Sequence, residues 1–163
     1  MDKRALIRKS FEKIVVNTGI GRLSQQSQFE DKILPEIMKE VALITGQKPQ
    51  VRRARESIAG FKTRKNQIVG LRVILRRDRM VDFFERLMHA VFPRVRDFRG
   101  IDPKNVDALG SLNIGIKEQV VFPEIVPEES RVNFGIQVTI VPRVRNREES
   151  LSLYRETGVP LKK

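Results

Sequence analysis

Lysines and arginines are concentrated between residues 50 and 79, and this positive charge is the chemistry that the sequence shows most clearly. Only Glu56 and Asp78 oppose them, so the segment carries +8 of the chain's net +12. The cations are Arg52, Arg53, Arg55, Lys62, Arg64, Lys65, Arg72, Arg76, Arg77 and Arg79. Residues 1–23 add +4, whereas residues 100–163 balance to zero. A solvated surface does not need charge of one sign in two segments, but a surface that binds a polyanion does.

Two short segments combine these cations with an aromatic ring. In Ser57-Ile58-Ala59-Gly60-Phe61-Lys62, small residues allow a close backbone approach, and Phe61 can stack on a base or sugar. The alternative is that Phe61 folds back into the core. In the second segment, Phe98 lies among Arg94, Arg96 and Arg99, where stacking and charge can combine. Solvation of a helix end explains that second segment nearly as well.

Residue types needed for other chemistries are scarce. The chain has no cysteine, which excludes disulfides, thiolate metal sites and a cysteine nucleophile and favours an intracellular location. His89 is the single histidine, so a histidine zinc cluster is impossible. Gly19-Ile20-Gly21 follows an apolar run, but Ser24 stands where a dinucleotide-binding loop needs its third glycine. We therefore expect no cofactor and no metal. No signal peptide or membrane segment is indicated.

A strand must position the central arginines. Residues 69–77 alternate with period two, which is typical of a strand with one buried face. The inward set is Val69, Leu71, Val73 and Leu75, and the outward set is Arg72, Ile74 and Arg76. The pattern therefore predicts a sheet with arginines on its outer face.

Two helices and further strands complete the predicted fold. Helical spacing runs from Phe29 to Ile44 and stops at Gly46, and a second helix capped by Asp78 ends near Pro93. Strands are predicted at Ile14-Val15-Val16, 112–116 and 134–140, with a short closing helix over 147–154. This order predicts a single α+β domain over residues 1–163, with a largely antiparallel sheet and helices on one side. A basic N-terminal segment, 1–12, and a mobile basic loop, 57–66, belong to it.

Six segments in the same order resemble the bacterial large-subunit ribosomal protein L-five family, over about Lys13 to Pro160. They are Ile44-Thr45-Gly46-Gln47-Lys48-Pro49, Ser57-Ile58-Ala59-Gly60-Phe61-Lys62, Arg79-Met80, Pro93 to Gly100, Gly115-Ile116-Lys117-Glu118-Gln119 and Phe122-Pro123-Glu124-Ile125. The resemblance implies a non-enzymatic protein that binds 5S ribosomal RNA and helps attach it to 23S ribosomal RNA in the central protuberance. It also implies contact with peptidyl-site transfer RNA and a bridge to a small-subunit protein.

The family's motifs assign roles to particular residues. For 5S ribosomal RNA the candidates are Asn17, Gln47, Lys48, Arg52, Arg72, Ile74, Arg76 and Arg77. For the loop facing transfer RNA they are Ser57, Ile58, Ala59, Gly60, Phe61, Lys62, Arg64 and Lys65. Arg94, Arg96, Phe98 and Arg99 are candidates for a ribosomal RNA or intersubunit contact. The implied location is a cytoplasmic ribosome, an organellar ribosome being the alternative left open, and the implied state in the ribosome is a monomer.

Several positions depart from the family's usual residues. Gln50 replaces an apolar residue, Arg52 and Ile74 replace threonine, and Glu56 and Arg77 replace lysine and glycine. Ile74 removes a hydroxyl from the outer face of the strand, and Glu56 removes positive charge from the side of the loop. The N-terminal helix that many bacterial members carry before the first strand is expected to be largely absent.

Two further hypotheses follow from the basic charge. One is an RNA-processing or RNA-modifying enzyme with a basic groove, against which stand the single histidine, the missing cysteine and the lack of a phosphate-cradling glycine loop. The other is a free-standing regulatory RNA-binding protein that never joins a ribosome.

Overall fold

The computed structural model describes residues 2–163 and contains four α-helices and five β-strands. In chain order these are α1 (Lys3–Ser10), β1 (Phe11–Gly19), α2 (Leu34–Thr45), β2 (Gln50–Arg53), β3 (Ile68–Leu75), α3 (Arg77–Arg86), β4 (Leu112–Ile116), β5 (Ile136–Pro142) and α4 (Arg147–Thr157). A π-helical turn, Phe29–Ile33, leads into α2. A second, Leu87–Val91, extends α3 to a final 3-10 turn at Phe92–Arg94.

All five strands form one antiparallel sheet in the order β2-β3-β1-β5-β4. The first strand of the chain lies at the centre, because β1 pairs with β3 on one side and with β5 on the other. Strands from both halves of the chain therefore share one sheet. The predicted α+β class with an antiparallel sheet is confirmed.

One face of the sheet is apolar and carries the helices. Val73, Val16, Val138 and Ile114 lie side by side on four strands, and each is at most 5% exposed. The helices contribute buried side chains to the same core, among them Ile7, Ile37, Val41, Phe83, Phe84 and Tyr154. Burying a side chain of this size stabilises a fold by roughly 1.5–3 kcal/mol. The core is thus confined to one side of the sheet.

Of the predicted helix ends, the stop of α2 is confirmed and the cap of α3 is wrong. α2 ends at Gly46, whose φ of +73° suits a glycine, as predicted. The prediction that Asp78 caps α3 was wrong, because Arg76 occupies the cap position without a side-chain hydrogen bond. Helix α3 begins directly after β3, so Asp78 already lies in the first turn, where a carboxylate interacts favourably with the helix dipole.

The predicted strand over 69–77 was right in its middle and wrong at both ends. Ile68 is 4% exposed, whereas Val69 is half-buried. The reason is an irregularity in pairing with β2, where Arg52 pairs with Gly70 but Arg53 pairs with Ile68, leaving Val69 as the extra residue. At the other end the strand stops at Leu75, and the following residues start α3.

A helix precedes the first strand, so the expectation that it is largely absent was wrong. α1 begins after Asp2, whose side chain accepts a hydrogen bond from the backbone N–H of Arg4 at 3.1 Å. Ile7 is fully buried and anchors the helix in the core. Arg4 also pairs with Asp82 and Glu85 of α3. Within residues 2–163, no helix has the length and apolar character needed to cross a membrane.

Candidate nucleic-acid interface

The sheet face that carries no helix holds a row of polar side chains. Pairing between strands aligns Gln50, Arg72, Asn17 and Gln137 on four neighbouring strands, and Gly115 completes the row on β4. Paired residues in antiparallel strands project from the same face. At a spacing of about 4.8 Å between strands, the four polar side chains span roughly 14 Å.

A second row lies beside the first and is half apolar. Ile74 pairs with Val15, and Thr139 pairs with Asn113, which accepts a hydrogen bond from the Thr139 hydroxyl at 2.8 Å. All four side chains are half-buried. Ile74 therefore lies on the same face as Arg72, as the period-two pattern predicts, and offers a ligand contact surface but no hydrogen bond.

Arg72 is the cation at the centre of this face. Its Nη2 donates a hydrogen bond to Gln50 Oε1 at 3.2 Å, while its Nε is buried without a partner among the described residues. Its Nη1 makes no hydrogen bond within the described residues and is not among the buried atoms, so this nitrogen can donate to a phosphate oxygen. Arg52 lies nearby on the edge strand β2, half-buried and paired with Gly70.

Gln47, a candidate contact residue, uses both ends of its amide inside the protein. Its Nε2 donates to the backbone oxygen of Ile74 at 3.1 Å, and its Oε1 accepts from Arg79 Nη1 at 3.1 Å. The side chain therefore fixes the end of α2 against β3 and orients Arg79. Lys48, the next residue, is exposed.

Residues 57–65 form a small hairpin whose side chains point outward. Two backbone hydrogen bonds of 2.9 and 3.0 Å join Ile58 and Thr63, and the backbone N–H of Lys65 donates to Ser57 Oγ at 2.9 Å. Phe61 is 77% exposed, so the alternative in which it folds into the core is excluded. The other exposed members of the predicted loop are Ser57, Ile58, Ala59, Gly60, Lys62, Arg64 and Lys65.

A cavity of about 890 Å³ opens between this hairpin and the turn at Leu23–Gln25. Lys62, Arg64 and Lys65 line it. Gln67 also lines it and joins its two sides, because its Nε2 donates a hydrogen bond to Ser24 Oγ at 2.6 Å. The base of the hairpin is therefore both basic and concave.

In the segment 94–99 the aromatic ring is packed, whereas the arginines are exposed. The ring of Phe98 lies parallel to that of Phe92, with centroids 4.7 Å apart, so one face of Phe98 is already covered. Arg94, Arg96 and Arg99 are exposed. The three arginines remain available to a ligand, and the ring packs with the core.

Sequence reasoning missed a group of cations at the start of β1. The carboxylate of Glu12 forms ion pairs with three cations. The nitrogen–oxygen distances are 2.8 Å to Arg145, 3.7 Å to Arg76 and 3.9 Å to Lys13. These residues come from β1, from the start of α3 and from the segment after β5. No local pattern brings them together, so only the pairing of β1 with β3 and β5 reveals the group.

Among residues 2–163, no cluster of histidine, aspartate or glutamate side chains is arranged to hold a metal ion. The chemistry of this surface is therefore that of hydrogen-bond donors, guanidinium groups and one exposed ring.

Comparison with known families identifies the scaffold on which this surface is built. Residues 10–64 match the model for "Ribosomal protein L5", and residues 68–161 match the model for the C-terminus of the same ribosomal protein family. The chain belongs to the ribosomal protein L5 family. The two matches together cover all five strands of the sheet.

Individual relatives are similar over nearly the whole chain. The large ribosomal subunit protein uL5 of Thermus thermophilus is 43% identical over 152 residues, which is 93% of this chain and 81% of that protein. The protein uL5 of Anaeromyxobacter sp. (strain K) is 45% identical over 93% of this chain and 82% of its own length. The protein uL5c of the alga Gracilaria tenuistipitata is 45% identical over 91% and 80%.

Membership of this family establishes the general role. The protein is a structural, non-enzymatic constituent of the large ribosomal subunit and associates with ribosomal RNA. The hypothesis of an RNA-processing enzyme is thereby excluded. Since relatives of similar identity include both uL5 and uL5c proteins, the ribosomal location is shared by bacterial and organellar members.

Proposed function

We propose that this protein binds 5S ribosomal RNA with the uncovered face of its sheet and helps attach that RNA to 23S ribosomal RNA in the central protuberance. The observation that carries the proposal is the polar row Gln50–Arg72–Asn17–Gln137, which crosses four strands on the face without helices. A flat surface of amides and a guanidinium can read the shape and backbone of folded RNA.

The charge distribution supports the same orientation. Arg52, Arg72, Arg76 and Arg77 lie on this face or at its end, and Lys48 is exposed beside it. Cations placed there neutralise phosphates and release counterions, so binding weakens as salt rises. Gln47 acts indirectly, because its amide is occupied by Ile74 and Arg79.

The hairpin 57–65 has a different partner in this proposal. It contacts transfer RNA in the peptidyl site, with Phe61 stacking on a base or sugar and Lys62, Arg64 and Lys65 meeting phosphates. Its support is the 77% exposure of Phe61 beside a basic cavity of about 890 Å³. The exposed cations Arg94, Arg96 and Arg99 serve a separate contact with ribosomal RNA or with the small-subunit protein at an intersubunit bridge.

Binding measured against two RNAs tests the central claim. The purified protein is titrated with 5S ribosomal RNA and with an unrelated folded RNA of equal length, each at several salt concentrations. We expect a preference for 5S RNA that persists at high salt, because shape recognition adds to the electrostatic attraction. Equal affinities that both collapse with salt would contradict specific recognition by the sheet.

Membership of the ribosomal protein L5 family argues against the hypothesis of a free-standing regulatory RNA-binding protein. Co-sedimentation in cell extract checks this directly, because a constituent of the large subunit travels with large subunits. A protein found only in the light fractions would contradict the ribosomal role.

A further inference from the structure

We infer that the arginines around the start of α3 form a pocket for one backbone phosphate of the RNA that covers the sheet. This inference rests on the proposed binding of 5S ribosomal RNA and adds a site to it. The pocket has a volume of about 390 Å³. Its lining consists of Arg8, Phe11, Glu12, Arg76, Arg77, Met80 and Arg143.

The pocket contains more positive charge than its own carboxylates neutralise. Arg8 pairs with Asp78 at 3.1 Å, and Arg76 shares Glu12 with Lys13 and Arg145. Arg77 and Arg143 are exposed, and neither has an ion-pair or hydrogen-bond partner for its side chain within residues 2–163. Two guanidinium groups therefore face the opening of the pocket with all their donors unused, which is the arrangement that binds a phosphate.

The backbone around the pocket favours an anion as well. Arg77 has a φ of +53°, in the left-handed region that residues with side chains rarely adopt. This conformation turns the chain from β3 straight into α3 and leaves the first turn of the helix without a capping side chain at Arg76. The free N–H groups of that turn add partial positive charge next to Arg76 and Arg77, and the carboxylate of Asp78 in the same turn is paired with Arg8.

The position of the pocket identifies its ligand. Arg76 continues the outward series of Arg72 and Ile74 along the same chain, so the pocket lies at the end of the face proposed to bind RNA. Its floor is apolar, since Phe11 and Met80 are at most 1% exposed. The guanidinium rim is therefore the part of the pocket that a ligand reaches, and its place at the end of the RNA-binding face suits a phosphate of the nucleic-acid backbone.

The experiment removes the two unpaired guanidinium groups and measures RNA binding. In the double variant Arg77→Gly/Arg143→Gln, glycine is compatible with the positive φ at position 77, so the fold is retained. We expect about tenfold weaker binding to 5S RNA, with the slope of log K against log salt reduced by roughly one, the contribution of one phosphate. The matched control Lys104→Gln/Arg155→Gln removes the same charge from exposed positions away from the outer face and leaves the slope unchanged.

Ethylation interference on 5S RNA gives a second readout. With the unaltered protein, ethylating the contacted phosphate weakens binding. With Arg77→Gly/Arg143→Gln, we expect ethylation of the same phosphate to have no effect on binding. An unchanged slope and interference pattern in the double variant, with weaker binding by Arg72→Gln, would overturn the pocket and leave the sheet face in place. If the unaltered protein shows no preference for 5S RNA, both the pocket and the proposed function fall.

Discussion

The two halves of the sheet use their polar side chains in opposite ways. On the side of β2 and β3, residues 50–79 carry +8, and most of their cations reach solvent. On the side of β4 and β5, Gln137 is the exposed member of the polar row, and the polar groups packed beside these strands are buried and bonded within the protein. Tyr154 donates its hydroxyl to the backbone oxygen of Gly110 at 2.6 Å, and Gln119, fully buried, bonds Ser130 and the backbone of Val132 and Phe134. The cations for an external ligand are thus concentrated at β2 and β3, whereas the helix and turn beside β4 and β5 use their polar groups to stabilise the fold.

The largest expected effect separates binding from stability on the basic side. Arg72→Glu with Arg76→Glu reverses two charges on the outer face, where each lost charged contact costs about 1.5 kcal/mol or more. We expect the affinity for 5S ribosomal RNA to fall on the order of 100-fold. Fluorescence anisotropy with labelled RNA measures this.

The same double variant should melt close to the unaltered protein, because neither arginine contributes to the apolar core. If affinity stays unchanged, the outer face is not the RNA-binding surface.

A substitution of Tyr154 is expected to lower stability and to leave RNA binding unchanged. Tyr154→Phe removes the hydroxyl that bonds Gly110 and leaves that carbonyl without this donor, so we expect a loss of about 1–2 kcal/mol in the free energy of unfolding. RNA affinity should not change. Urea denaturation and the binding assay together check both halves of this statement. A weakened affinity at full folding would break the division between the two sides.

The pH dependence of stability sharpens this prediction. Burial raises the pKa of the Tyr154 phenol above its ordinary value of 10.0. The folded state therefore holds the proton more tightly than the unfolded state, and the resulting stability is present below pH 10 and is lost as pH rises further. The Tyr154→Phe variant lacks this component, so its stability should fall less steeply above pH 10.

Sequence reasoning reached the elements whose pattern is local. The alternation from Leu71 to Leu75 and the stop at Gly46 follow from period and from backbone preference, and both are confirmed. The extra residue Val69 could not be foreseen, because it depends on the pairing with β2. The partner of Phe98 was hidden for a similar reason, since parallel packing on Phe92 is a tertiary contact.

The candidate site, like the fold, could be predicted only where its signal is local in the sequence. Charge density marked residues 50–79, and alternation placed Arg72 and Ile74 together. The pocket at the start of β1 could not be predicted, because Arg8, Arg76 and Arg143 come from three separate parts of the chain. Gln137 had a usable signal, since it alternates with Ile136 and Val138 in β5.

A smaller effect on stability is expected from removing the backbone strain of the positive φ at Arg77. A left-handed conformation costs a residue with a side chain roughly 1–2 kcal/mol, and the entropy of glycine in the unfolded chain offsets part of that gain. Arg77→Gly should therefore stabilise the protein by a few tenths to about 1 kcal/mol. In the control Ser152→Gly, at an exposed position of α4, we expect a loss of about 0.5 kcal/mol. Thermal melting that ranks the two variants in the opposite order would contradict the account of Arg77.

The smallest expected effect on stability is at the tip of the hairpin. Phe61 is 77% exposed, so Phe61→Ala should change the free energy of unfolding by no more than about 0.5 kcal/mol. Phe83→Ala, at a position 1% exposed, should cost about 3–5 kcal/mol. Chemical denaturation compares the two.

Amide exchange tests the related prediction that loop 57–66 is mobile without RNA. We expect its amides to exchange faster than those of β3, because the hairpin has few buried contacts. Strong protection of the loop in the free protein would refute this.

The shape of the outermost strand has a consequence for the protein before it meets RNA. β2 has only four residues, two of them arginines, and its pairing is interrupted between Arg52 and Arg53. A short, charged and irregular edge is a poor template for a strand of another chain, because two such edges would bring like charges together and misalign their hydrogen bonds. At this edge of the sheet, therefore, the same arginines that attract RNA also disfavour strand pairing between copies of the free protein.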